Sequence, residues 1–161
     1  METKKSAYME TAMFNYFFDE ARDGHLVTVA FFEAAGRGEI QAYTSQYVIG
    51  ELQNAAEPKR SDMLALIDRF HIKVLEKTDE AVRLADIYIA ANDGISAKKR
   101  LDATHIAIAS VRRLQYVVSW NFKHINKERT RKMVNYINQK YDYEAITLCE
   151  PWEVVYDGTE T

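Results

Sequence analysis

Leu101-Asp102-Ala103-Thr104-His105-Ile106-Ala107-Ile108-Ala109, followed by Tyr116-Val117-Val118-Ser119-Trp120-Asn121, decides the fold. The first stretch opens with an acid and carries small residues, Ala109 and Ser110 with Ile106, on closely related faces, as a helix packed tightly on a sheet requires. The second is apolar and β-branched, the composition of a strand covered on both faces, and is expected at the sheet centre. A helix leading into a buried strand is half of a parallel α/β repeat, and the flanking sequence extends the alternation in both directions.

Upstream, Ser6 to Met9 reads as a first strand, followed by the aromatic segment Phe14, Tyr16, Phe17 and Phe18. Val27, Ala30, Phe31 and Ala34 recur at three- and four-residue spacing and predict a helix to Gly36, stopped by Gly36-Arg37-Gly38. Ile40 to Thr44 is the second strand. Ser45 can accept a hydrogen bond from a free amide and so cap a helix running through Glu51, with another helix from Pro58 to Phe70. His71 to Leu75 is a third strand, and Thr78-Asp79-Glu80 starts the helix carrying Val82, Leu84, Ala85, Tyr88 and Ile89. Downstream lie a basic helix over Lys127 to Gln139 and a last strand over Ala145 to Leu148. The expectation is an α/β fold: a doubly wound, mainly parallel sheet of about five strands, with right-handed crossovers and helices on both faces. One domain would cover residues 1–150, with 151–161 a loose acidic tail.

Composition excludes several classes. With 47% hydrophobic and 28% charged residues, burial can offset the entropy of ordering 161 residues, so wholesale disorder is out. The single cysteine, Cys149, closes no internal disulfide and is taken as inert, which points to a reducing, cytoplasmic setting. No apolar run resembles a signal peptide or a membrane span. No Gly-rich phosphate loop is present, so nucleotide binding of that kind has no support. A phosphoacceptor domain needs paired acids after the first strand and an Asp after the third, whereas only Glu10 ends the first and His71 to Lys77 offers Glu76.

Net charge is −3, yet Lys98 to Lys140 holds eleven Lys or Arg against two acids, Asp102 and Glu128. That segment carries a formal +9 against −12 for the rest, a polarity able to steer polyanions to one face. Lys98, Lys99 and Arg100, just before Asp102, are placed to attract phosphate, and Lys123 and His124, just after Asn121, are placed to contact it.

The acids give the charge a purpose. Glu10, Glu51, Asp102 and the amide Asn121 each end a predicted strand or open the helix after it, and the carboxyl ends of parallel strands share one edge. Close carboxylates raise one another's pKa unless a cation neutralises them, so convergence of Glu10, Glu51 and Asp102 would make a divalent-metal site. Mg²⁺ takes oxygen ligands and keeps several waters, so two or three carboxylates suffice. His105 shares a helical face with Asp102, where a satisfied core histidine, or one that supports a ligand from behind, is a commoner outcome than a metal ligand or general base.

These four segments resemble the PIN-domain family, which includes the VapC-like toxin ribonucleases. The carriers are Tyr-Met-Glu-Thr at 8–11, Tyr-Val-Ile-Gly-Glu-Leu at 47–52, Arg-Leu-Asp-Ala-Thr-His-Ile-Ala-Ile-Ala at 100–109 and Val-Val-Ser-Trp-Asn-Phe-Lys-His-Ile at 117–125. The resemblance implies a ribonuclease that binds Mg²⁺ or Mn²⁺, with the four family acids falling on Glu10, Glu51, Asp102 and Asn121. Glu10, Glu51 and Asp102 would hold the metal, Asn121 would assist through a water, and Thr11 and Ser119 would orient the ligands. RNA is the implied substrate, a small antitoxin protein the implied partner, and homodimerisation a family expectation. Two departures stand out. Glu10 replaces the usual Asp and reaches one carbon further, and Asn121 supplies an oxygen but no charge. They leave open a catalytically impaired PIN-like domain that binds RNA or protein.

Overall fold

The structure, a computed structural model, describes residues 4–121 and 127–156. Lys123 and His124 lie outside the described residues, as does the chain beyond Tyr156. Five strands alternate with helices: β1 (Lys5–Met9), α1 (Thr11–Phe18), α2 (His25–Gly36), β2 (Ile40–Ser45), α3 (Gln46–Gln53), α4 (Lys59–Arg69), β3 (Lys73–Leu75), α5 (Asp79–Ala90), α6 (Arg100–Val111), β4 (Tyr116–Val118), α7 (Lys127–Lys140), β5 (Thr147–Cys149) and α8 (Pro151–Val155), with one 3₁₀ turn at Ala97–Lys99. All strand pairs are parallel and the order is β3-β2-β1-β4-β5. The fold is α/β, with helices interleaved between the strands.

Side-chain alternation along β1 explains why both faces are covered. Ala7 and Met9 enter a core with residues of α1 to α4 and α8, including Met13, Phe31, Leu52, Leu66 and Val154. Tyr8, between them, points into a second core with Leu84, Tyr88, Ile106 and Val134 of α5, α6 and α7. Successive strand residues face opposite sides, so a fully buried stretch of strand must be apolar throughout, as Ala7 to Met9 of β1 and Val117 and Val118 of β4 are. The centre of the sheet is β1, and β4 lies one place out from it.

The helix starts follow local chemistry. Ser45 accepts from the Val48 amide at the head of α3 and Thr78 from the Ala81 amide at the head of α5, satisfying amides that have no partner within the helix. The aromatic segment forms α1, with Phe14 and Tyr16 buried and the Phe17 ring 5.0 Å from that of Phe32, so packing accounts for these three rings, while Phe18 is exposed.

Residues 151–155, read from sequence as the start of a loose tail, are a helix instead. Glu150 and Glu153 form a reciprocal capping box at the head of α8, with Pro151 at its first position, and Val154 is buried. Among the described residues, no helix is long and apolar enough to cross a membrane.

Candidate functional site

The strand order places the site. The chain lays β1, β2 and β3 to one side, then returns to add β4 and β5 on the other, so the order reverses at β1. A crevice opens at the carboxyl ends of strands where such a reversal occurs, because the following connections diverge to opposite sides. Met9 pairs with Val118 at this edge, and the next residues, Glu10 and Ser119, stand on its two sides. The Glu10 amide donates to the Val118 carbonyl at 3.4 Å and the Thr44 hydroxyl donates to the Met9 carbonyl at 2.9 Å, which fixes the end of β1.

Glu10 caps α1 and is 6% exposed. Its Oε2 accepts from the Ala12 amide at 3.1 Å and from Asn121 Nδ2 at 3.2 Å. Its other oxygen, Oε1, is buried with no hydrogen-bond partner among the described residues. Burial pushes the Glu10 carboxyl up to about 7; the hydrogen bond from the Ala12 amide and the nearby Ser119 hold it down, while the charges of Asp102 and Glu51 push it further up. Both of those acids, from helices far apart in sequence, therefore act on the same buried carboxyl.

Glu51 lies on α3, the helix that Ser45 caps directly after β2, and its half-exposed carboxylate accepts from the Thr11 hydroxyl at 2.8 Å. Asp102 stands in the first turn of α6, where Lys99 rather than Asp102 occupies the cap position. Its carboxyl is raised mainly by burial, with Lys99 lowering it and Glu51 raising it. Ser119 is buried and accepts from the Asn121 amide at 2.9 Å, which bends the chain after β4 toward Glu10.

Trp120 anchors that bend. Its indole donates to Thr28 Oγ1 at 2.9 Å and its ring stacks on Tyr16 at 5.0 Å, almost parallel. Gly24 makes room for it: a Cβ there would lie 2.7 Å from two ring carbons, and its φ of +94° is a conformation suited to glycine.

The structure thus brings Glu10, Glu51, Asp102 and Asn121 to one edge, with Thr11 and Ser119 hydrogen-bonded among them. In these rotamers the three acids do not close on a point. Among the described residues no group of three or more His, Cys, Asp or Glu is gathered so as to hold a metal ion. The donor set nonetheless fits a hard cation: all the candidate ligands are oxygens, and the buried Oε1 of Glu10 lacks a partner that a cation would supply. Lys98 is exposed and Lys99 half-buried at the 3₁₀ turn beside the acids, while Arg100 turns to pair with Asp86.

Sequence reading missed a buried chain behind Glu51. The Tyr8 hydroxyl lies 2.7 Å from Ser45 Oγ and 2.5 Å from His105 Nδ1, and His105 Nε2 lies 4.0 Å from Glu51 Oε1. The only signal was the Asp102-to-His105 spacing that puts both on one helical face; the tyrosine on the central strand gave none.

No protein-family model matches this chain, and no curated protein matches its sequence.

Proposed function

We propose that this chain is a metal-dependent ribonuclease of the PIN type, an endonuclease that hydrolyses RNA phosphodiester bonds, serving as the toxin of a toxin–antitoxin pair. One observation carries the reading. A buried carboxylate oxygen without a partner, Glu10 Oε1, sits at the reversal point of the sheet under the influence of two further acids, Glu51 and Asp102. A carboxylate buried only to cap a helix has no reason to keep company with two like charges, whereas one that meets a cation does. The strand order is consistent with PIN-like topology.

Glu10, Glu51 and Asp102 are the residues that would hold Mg²⁺ or Mn²⁺, which when bound lowers the pKa of a coordinated water and stabilises charge developing on phosphate. The chain's own residues do the rest. Thr11 fixes one oxygen of Glu51, and Asn121 and the Ala12 amide fix one oxygen of Glu10. Without a cation, burial pushes the Glu10 carboxyl up to about 7, so it keeps a proton toward neutrality that a bound cation would displace. Lys98 and Lys99 offer positive charge beside the acids, where an RNA backbone would approach.

Asn121 favours a second reading, a PIN-like domain with an impaired site that binds RNA or protein. Its neutral amide nitrogen donates to Glu10, where a fourth acid would have added charge. A panel of RNAs incubated with Mn²⁺ or with chelator separates the two. Metal-dependent cleavage that vanishes in Asp102→Asn, with the fold retained by circular dichroism, is the expected result. RNA binding without cleavage by the unaltered protein would instead select the impaired module.

A further inference from the structure

We propose that His105, held by Tyr8 as the tautomer with its proton on Nε2, is a positioning residue that aims an N–H at Glu51 and orients its carboxylate for a divalent cation. The proposal rests on the reading of Glu51 as a metal-binding acid.

The hydrogen-bond inventory selects the tautomer. Tyr8 and Ser45 have hydroxyls whose protons can rotate, and a neutral imidazole has one N–H and one bare nitrogen. If Ser45 donates to Tyr8 and Tyr8 donates to His105 Nδ1, every proton has an acceptor, and the remaining imidazole proton lies on Nε2, facing Glu51. In the reverse order His105 donates to Tyr8 and Tyr8 to Ser45. The Ser45 proton then loses the tyrosine as its acceptor, and the bare lone pair of Nε2 faces a carboxylate oxygen. The first order is lower in energy on both counts. Burial favours the neutral ring in either case, since it depresses the imidazole to about 4.

The geometry shows what this N–H does. At 4.0 Å it is past a direct hydrogen bond and acts on Glu51 as a dipole on a charge; a small rotation of the half-exposed Glu51 side chain would close the gap. Both donors in this arrangement, the Thr11 hydroxyl and the His105 N–H, act on the same atom, Oε1. The second oxygen of Glu51 is the one left for a cation. His105 is itself anchored, with 5% exposure and its ring 5.4 Å from that of Tyr8, so its N–H has a fixed direction. Partners of this kind change metal affinity about 10- to 100-fold when removed.

The test has two arms on the full chain. In the first, long-range ¹H–¹⁵N correlation spectra in chelator report His105 as protonated on Nε2 and bare on Nδ1, and Tyr8→Phe lets the other tautomer appear. In the second, Mn²⁺ binding followed by calorimetry weakens about tenfold or more in His105→Met and in Tyr8→Phe. His105→Gln, which keeps an N–H near the place of Nε2, binds within a few-fold of the unaltered protein. A purely structural histidine would lower the thermal midpoint in both His105 variants without separating their Mn²⁺ affinities. Tyr8→Phe, which removes one oxygen, carries the affinity comparison where His105→Met does not fold. Overturning results are a proton on Nδ1 in the unaltered protein, or wild-type Mn²⁺ affinity in folded His105→Met and Tyr8→Phe. If the unaltered protein binds no Mn²⁺, the metal reading fails by itself. The tautomer and the ¹³C shift of the Glu51 carboxyl, displaced in Tyr8→Phe and retained in His105→Gln, then still decide whether His105 orients Glu51.

Discussion

Glu10 and His105 titrate in opposite senses over the same range, so each hides the other's effect on stability. Burial raises the Glu10 carboxyl from 4.5 to about 7, so between these values the folded state binds a proton that the unfolded chain has lost. The stability linked to Glu10 is therefore complete below about 4.5 and is lost as pH rises through about 7, a loss of about 3 kcal/mol at 1.36 kcal/mol per unit. For His105 burial lowers the pKa from 6.5 to about 4, so in that window the unfolded chain binds the extra proton. The stability linked to His105 is complete above about 6.5 and falls by about 3 kcal/mol as pH drops through about 4. From about 4.5 to 6.5 the two slopes cancel. Urea unfolding in chelator across pH 4 to 8 separates them in single variants. Glu10→Gln should match the unaltered protein at pH 4 and exceed it by about 3 kcal/mol at pH 8, whereas His105→Gln should lose stability steadily as pH rises. Asp102, also raised by burial, titrates in both members of each pair and largely drops out of the differences. A stability difference between Glu10→Gln and the unaltered protein that stays constant over this range would refute the buried, proton-holding state of Glu10.

Three further outcomes follow from the geometry. Gly24→Ala, which sets a Cβ 2.7 Å from the Trp120 ring at a φ of +94°, should cost about 1–3 kcal/mol and shift tryptophan fluorescence to longer wavelength as the ring is displaced. Tyr88→Phe removes the hydroxyl that donates to Asn138 Oδ1 at 2.5 Å and lies 3.1 Å from Ser110 Oγ, so thermal unfolding should show a loss of about 1–3 kcal/mol with RNA cleavage unchanged. Replacing Lys98 and Lys99 together with Glu should flatten the salt dependence of single-stranded RNA binding by about 1.4 in log–log slope if each contacts one phosphate, read by fluorescence anisotropy.

The fold was legible because the alternation of strand and helix patterns is a property of the chain itself, and Ser45 and Thr78 mark their helices with side chains that cap in the structure. Two elements were not. The aromatic run in α1 obscures helical periodicity, since Phe14, Tyr16, Phe17 and Phe18 leave little polar face to contrast with the apolar one. Pro151 was read as a break, although Glu150 and Glu153 around it carry the spacing of a helix start. At the site, Glu10 was recognisable because it follows β1 and Asp102 because it opens α6, whereas the Tyr8, Ser45 and His105 contacts span sequence separations of 37 and 97 and depend on which core a strand side chain enters. That choice is set by register on β1, and no local pattern encodes it.

Glu10 poses the question on which the functional reading turns, namely what this residue gains by being glutamate. As the cap of α1 it needs a single acceptor, and Ser, Thr, Asp or Asn would serve with less to bury. One oxygen, Oε2, already meets two donors, the Ala12 amide and Asn121. The second oxygen then adds only desolvation and repulsion from Asp102 and Glu51, the causes that raise this carboxyl toward neutrality. A cost confined to one atom, at the one place where the strand order reverses, is better explained by a ligand for that atom than by the helix it begins. On this account Mg²⁺ or Mn²⁺ should raise the stability of the unaltered protein most where Glu10 is ionised, above pH 7, and should raise that of Glu10→Gln less, since only Glu51 and Asp102 remain to hold the ion.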